Sequence, residues 1–143
     1  MFDEPIRNVM RRRKLLLAPP DTSVSQAARM MAKKNVGAVL VVDQEALVGI
    51  FTERDIAFRV VACGLEARTT RLVDVMTPAP ATVDPDKPFG HALLRMQEGG
   101  FRHLPVIEAG RVVGIVSARS AMDPALEEFV FEAERRERYR QKV

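Results

Sequence analysis

The chain has 143 residues, 47% of them hydrophobic, and a formal net charge of +3, which fits one compact domain or one tight pair of halves. Its single cysteine, Cys63, rules out an intrachain disulfide and a zinc site built on several cysteines, and a lone thiol fits a reducing cytosol. No apolar run approaches the roughly 18–20 residues of a membrane span, and the charged residues 1–14 do not read as a secretory signal. The basic charge is local. Arg11, Arg12, Arg13 and Lys14 lie near the start, and Arg135, Arg136, Arg138, Arg140 and Lys142 crowd the end. Such runs read first as solvated faces, with phosphate, nucleic acid or anionic lipid as the alternatives.

In chain order, a short strand is expected at Leu16–Ala18, followed by a turn at Pro20-Asp21. Val24, Ala27, Ala28, Met31 and Ala32 predict a helix over Val24–Lys34, with Ser23 as its N-cap and Asn35-Val36-Gly37 as its end. Ala38–Val42 is a continuous apolar run, the mark of a strand buried on both faces. Asp43-Gln44-Glu45 is a short turn, and Leu47–Phe51 returns as a second strand. A helix is expected over Glu53–Cys63, with Ile56, Val60 and Cys63 on one stripe. Gly64–Arg71 is a linker. The order then repeats: a short strand at Ala81–Val83, a helix over Phe89–Gln97 ended by Glu98-Gly99-Gly100, a strand at His103–Ile107, a turn at Glu108-Ala109-Gly110, and a strand at Val112–Val116. The last segment reads as a charged helix, with Asp123 at the N-cap, Pro124 in the first turn, and Leu126, Phe129, Val130 and Ala133 on one face. Glu127 and Glu128 come early and the arginines late, which complements the helix dipole. Glu132/Arg136 and Glu134/Arg138 are spaced as i,i+4 ion pairs.

The repetition is explicit. Val48-Gly49-Ile50-Phe51-Thr52-Glu53-Arg54-Asp55 returns 65 residues later as Val113-Gly114-Ile115-Val116-Ser117-Ala118-Arg119-Ser120, and Val9-Met10 returns 66 residues later as Val75-Met76. A period this long, present only twice, is not a solenoid. Each half has about 60 residues, a size at which burial is marginal, so the halves are expected to share a core about a pseudo-twofold axis.

These residues carry a resemblance. Two βαββα units, each with a Val-Met lead-in, an apolar strand and a Gly-Ile-Phe/Val-Thr/Ser-x-x-Asp/Ser string, resemble a pair of cystathionine-β-synthase (CBS) domains, a Bateman module, over roughly residues 5–123. Arg102-His103-Leu104-Pro105-Val106 is similar to second repeats of that family. The expected fold is therefore α+β (α/β-like), with a first repeat at 1–63 that includes an N-terminal helix, a linker at 64–71, a second repeat at 72–123 and a charged C-terminal helix at 124–143. The resemblance implies a regulatory module for adenosine-containing ligands: AMP, ADP, ATP, NAD(H) or S-adenosylmethionine. It also implies a homodimer built as a disc of four CBS units.

Thr52 and Asp55 stand where strand meets helix. Free N–H groups at such a junction attract phosphate, and a carboxylate can accept from both hydroxyls of a ribose. The resemblance gives the same division, with Thr52 near phosphate and Asp55 on ribose. The plain alternative is that Thr caps the helix and the acids suit its first turn. In the second repeat Ser117 keeps the hydroxyl but Ser120 replaces the carboxylate, so two unequal sites are expected, the Asp55 site being the stronger. Arg102 and His103 can, in this family, reach phosphate in the cleft. His103 has the alternative of a histidine that satisfies one hydrogen bond in an apolar strand. Arg54 and Arg119 hold equal places, to serve phosphate or pair with acids. Leu16–Ala18, Val36–Leu40 and their partners near Ala79–Ala81, with Leu17 and Ala38 foremost, are expected as the apolar walls for adenine. His91 is expected to be exposed.

No catalytic arrangement or metal-ligand spacing is present in the sequence, and the glycines match neither a P-loop nor a dinucleotide fingerprint. The expectation is a cytoplasmic, non-enzymatic ligand sensor that acts in trans on an unidentified protein partner through its C-terminal helix. The alternative is an interaction scaffold with a vestigial cleft. A nucleic-acid binder ranks third, because the basic runs lack interleaved aromatics.

Overall fold

The computed structural model describes residues 2–12, 14–120 and 122–142, and the side chains of these apart from 122–131. The elements are α1 (Ile6–Val9), β1 (Leu17–Ala18), α2 (Val24–Lys34), β2 (Ala38–Asp43), β3 (Ala46–Thr52), α3 (Glu53–Asp55) continued by a π-helical segment Ile56–Val61, α4 (Leu72–Val75), β4 (Thr77–Pro78), α5 (Phe89–Gly99), β5 (His103–Glu108), β6 (Arg111–Ser117) and α6 (Met122–Gln141). This is an α+β fold of two matched units with a C-terminal helix.

Local chemistry explains the hairpins and helices. Ser23 Oγ accepts the Gln26 N–H at 3.1 Å, and Asn35 closes α2 in the left-handed region with φ 54°. β2 and β3 pair antiparallel from Ala38↔Thr52 to Asp43↔Ala46, with an irregularity at Val41/Val42. β5 and β6 pair from His103↔Ser117 to Glu108↔Arg111, with the matching irregularity at Val106/Ile107. Each hairpin turns on two residues of positive φ: Gln44 (49°) and Glu45 (69°) in the first, Ala109 (51°) and Gly110 (76°) in the second. A two-residue turn of this hand favours glycine at its second position. Glu45→Gly is therefore expected to stabilise the chain by about 0.5–1 kcal/mol. Thermal unfolding of the variant checks this, and a lowered Tm would contradict it.

The first unit has the sheet order β1-β2-β3-β4, with β1 parallel to β2 (Leu17↔Leu40) and β4 antiparallel to β3 (Gly49↔Pro78). In the second unit the outer strands shrink to single bridges, Val83 parallel to Val106 and Arg11 antiparallel to Ile115. The strand expected at Ala81–Val83 is thus reduced to Val83, which donates to Pro105 O and accepts from Ile107 N. Pro105, at the place of Leu40, has no N–H to extend that ladder.

The short lead-in helices change partners. Ile6 and Met10 pack in the second core with Val83, Phe89, Ala92, Met96, Leu104, Val106 and Val116. Leu72 and Val75 pack in the first core with Leu16, Val24, Ala27, Met31, Val39, Phe51 and Val60. Matched hydrogen bonds fix both: Val24 N–H to Thr70 O and Phe89 N–H to Glu4 O, at 2.9 and 2.7 Å. Arg7 further ties α1 to the second unit through Asp86 at 3.1 Å and through Glu108.

A third apolar cluster joins the units. Ala38, Leu40 and Ile50 are buried there, with Leu15, Leu47, Val112 and Ile115 packed against them. This accounts for the uninterrupted apolar run of β2: Val39 and Val41 face their own core, while Ala38 and Leu40 face the other unit.

The helix expected over Glu53–Cys63 is corrected. Only its first turn is α-helical, and Ile56–Val61 winds with i→i+5 bonds such as Ala62 N–H to Ala57 O at 2.9 Å. Ile56 and Val60 stay inward, but the winding ends at Val61, so Cys63 falls in the turn beyond it and its thiol is exposed. α6 begins at Met122, ahead of the expected Asp123 cap. Arg13 and the side chains of Asp123, Pro124, Leu126, Glu127, Glu128, Phe129 and Val130 lie outside the described residues. The expected pairs Glu132–Arg136 and Glu134–Arg138 are present at 3.7 and 3.6 Å.

Candidate functional site

The two strand-to-helix junctions are built alike. Asp55 Oδ2 accepts the Thr52 N–H at 2.9 Å and the Thr52 hydroxyl at 3.3 Å. In the second unit Ser120 Oγ accepts the Ser117 N–H at 2.9 Å and lies 3.3 Å from Ser117 Oγ. Asp55 is 7% exposed and Ser120 3%, so each polar group is buried with a partner, as a desolvated group requires. Glu53 N–H donates to Gly37 O at 3.0 Å, and Ala118 N–H to Arg102 O at 3.1 Å. Each junction is thereby locked to the start of the facing strand of its own hairpin.

The structure revises the expectation for Asp55. Its second oxygen, Oδ1, faces Arg59 Nε at 3.5 Å, so both oxygens are engaged rather than free. A carboxylate has about four lone-pair sites, and Oδ1 retains acceptor capacity beyond this contact. Arg59 escaped the sequence reading although an Asp/Arg pair at i,i+4 is a readable signal.

The junctions meet across the units near the start of β5. A Cβ on Gly37 would lie 2.9 Å from Glu53 Oε1 and 3.7 Å from His103 Nε2. His103, half-buried, thus faces Gly37 and Glu53 of the first unit. Burial pushes its imidazole below the ordinary histidine range. Glu53 pulls it up, while Arg119 and Arg102 push it down. Glu53 was not anticipated as a site residue, and nothing in its sequence context marks it; Gly37 lies within Val36–Leu40, expected as an apolar wall, and no contact to Glu53 or His103 was expected of it.

The remaining candidates divide. Arg102 and Arg119 are exposed beside His103. Arg54 lies along the outer face of its helix, its guanidinium 4.6 Å from the Phe58 ring centroid. Ala38 is buried in the cluster between the units, whereas Leu17 is 45% exposed at the sheet edge. His91 is exposed on α5. Among the described residues no group of His, Cys, Asp and Glu is arranged to hold a metal ion, and no helix is long and apolar enough to cross a membrane.

His103 gives a pH prediction. Its folded-state value lies below its unfolded one, so the unfolded chain binds the proton more readily. Stability therefore falls as pH drops through about 6.5 and levels off beneath the folded value. His103→Gln is expected to flatten that fall. Tm measured at pH 8 and pH 5.5 checks it, and equal losses in both proteins would contradict it.

Comparison with known proteins agrees with this geometry. The CBS domain profile matches residues 6–62 and 72–125. The CBS domain-containing protein CBSCBSPB3 of Arabidopsis thaliana is 40% identical over 118 residues, 82% of this chain; the chain spans about a fifth of the length of such curated relatives. The crystal structure of an uncharacterized conserved protein from Pyrococcus horikoshii superposes with a TM-score of 0.81 at 32% identity, covering 87% of this chain and 94% of that one. The CBS domain pair of protein MJ0100, crystallised with 5′-methylthioadenosine and S-adenosyl-L-methionine, gives a TM-score of 0.75 at 26% identity, covering 84% and 98%. With two matched units, their junction strings and both profile matches in register, the chain belongs to the CBS domain family.

Proposed function

We propose that this chain is a regulatory, non-enzymatic module that binds an adenosine-containing small molecule where the two units meet and acts in trans on a protein partner. The observation that carries the reading is the pair of junctions, Thr52–Asp55 and Ser117–Ser120, set beside the cross-unit group of Gly37, Glu53, Arg102, His103 and Arg119. A phosphate would meet the Thr52 side and the basic group, and a ribose hydroxyl would meet Asp55 Oδ1. The adenosine ligands of the MJ0100 pair support the ligand class; AMP, ADP, ATP, NAD(H) and S-adenosylmethionine all belong to it. The Asp55 site is the stronger of the two, since Ser120 offers no carboxylate. A cytoplasmic location and a homodimer, a disc of four CBS units, are parts of the same reading. Phe58 and Val61, 58% and 70% exposed on the outer face of their helix, support the dimer.

One observation favours the scaffold reading. Capping alone gives Asp55 and Ser120 a structural role. The second unit supplies the substitution that separates the two, because Ser120 shows that serine makes the same cap. Asp55→Ser is expected to leave the fold intact and remove the carboxylate. At 100 times its Kd, a ligand raises stability by about 2.7 kcal/mol, a Tm rise of roughly 5–10 °C. Loss of a charge-assisted hydrogen bond weakens binding by about ten- to a hundredfold. Thermal unfolding of both proteins with the adenosine ligands is the test: a rise in wild type that shrinks in Asp55→Ser supports the sensor, and no rise with any ligand supports the scaffold.

A further inference from the structure

Arg59 touches Asp55 from outside the junction. It lies on the π-helical segment Ile56–Val61, which carries its Nε to 3.5 Å from Asp55 Oδ1. Its Nη1 meanwhile donates to Val75 O at 3.2 Å and Met76 O at 3.0 Å. Those carbonyls end α4, where backbone acceptors have no partner within the helix. A planar guanidinium presents five N–H donors in a fixed fork, so one side chain serves both partners at once. Arg59 thus bridges the buried carboxylate of the candidate site and the lead-in segment that completes the first core.

The second unit is an internal comparison. Ser120 stands at the place of Asp55, and the place of Arg59 is Pro124. α1 and α4 are matched elements, so an arginine needed only to cap α4 would have a counterpart at 124 to cap α1. At this matched position arginine stands only in the unit that has the carboxylate.

We infer that Arg59 is a positioning residue for Asp55: it holds Oδ1, fixes the plane of the carboxylate, and links the site to α4 and β4. The effect on ligands rests on the function proposed above; the link between the two side chains does not.

The test is a double-mutant cycle in the full chain, read by calorimetry with AMP and its 2′,3′-dideoxy analogue, and by the Arg59 Nε–H signal in ¹⁵N NMR without ligand. Wild type is expected to prefer the ribose compound by about tenfold. Arg59→Ala reduces that preference by roughly threefold or more, Asp55→Ser abolishes it, and the double variant equals Asp55→Ser alone. Arg59→Lys keeps part of the preference, through a point charge without the fork. Without ligand, the Arg59 Nε resonance is expected to move between wild type and Asp55→Ser, because the carboxylate 3.5 Å away is removed. The inference is overturned if Arg59→Ala weakens both compounds equally, which marks a purely structural residue. If wild type binds neither compound, the nucleotide reading fails for these probes and the NMR arm decides: a displaced Arg59 Nε resonance in Asp55→Ser sustains the link, and an unchanged one overturns it.

Discussion

Ile6→Ala is expected to destabilise the second unit, and not the first that follows it in sequence, by about 2–4 kcal/mol. Ile6 is fully buried among the second unit's apolar side chains, on a four-residue helix too short to hold itself together. Truncation to alanine removes contacts with a core built from residues 83–116 and leaves a cavity that a tight interior fills poorly. Leu72, also fully buried, is its partner by symmetry in the first core, and Leu72→Ala is expected to cost a similar amount there. Native-state hydrogen exchange separates the two. Ile6→Ala should lower protection first in β5 and β6, and Leu72→Ala first in β2 and β3. Equal loss across both hairpins in either variant would contradict the exchange of lead-in helices.

Gly49→Val is expected to cost about 2–3 kcal/mol. A Cβ at Gly49 would overlap the Met76 side chain, with Sδ, Cγ and Cε all crowded against it. Gly114 meets Met10 in the same way, with Sδ 2.8 Å from the place of a Cβ. The glycine of each Gly-Ile string and the methionine of each lead-in are thus two halves of one contact. Displacing Met76 also disturbs the carbonyls that Arg59 holds. Denaturant unfolding of Gly49→Val, Met76→Ala and the double variant checks the pairing. The double is expected to lose less than the sum of the singles, and strict additivity would contradict the contact.

Much of this was legible from the residues. Ser23 and the 3.6-residue spacing marked α2, the apolar runs and their turns marked both hairpins, and the 65-residue recurrence marked two units about one axis. The exchange of lead-in helices was not legible, because Ile6 and Leu72 carry no local sign of which core they join. β4 was missed because Thr77-Pro78 has no strand pattern; its pairing is set by the open edge of β3. The π winding after Asp55 was missed because the stripe of Ile56 and Val60 reads equally well as an α-helix. At the site, the sequence pointed to the junction residues one by one but not to the hydrogen-bond network that joins them. The sequence offered the two acceptor oxygens of Asp55 to a ribose; the structure commits one to Thr52 and turns the other to Arg59.

The central claim is that a ligand binds at the meeting of the two units. Amide NMR of the uniformly labelled chain, titrated with the adenosine ligand that most raises Tm, tests it most directly. The account predicts shifts concentrated at Gly37, Thr52, Glu53, His103, Ser117 and Ala118, with the larger changes on the Asp55 side. Shifts confined to α6 or to the outer helix faces, or no shifts at saturating ligand, would contradict it.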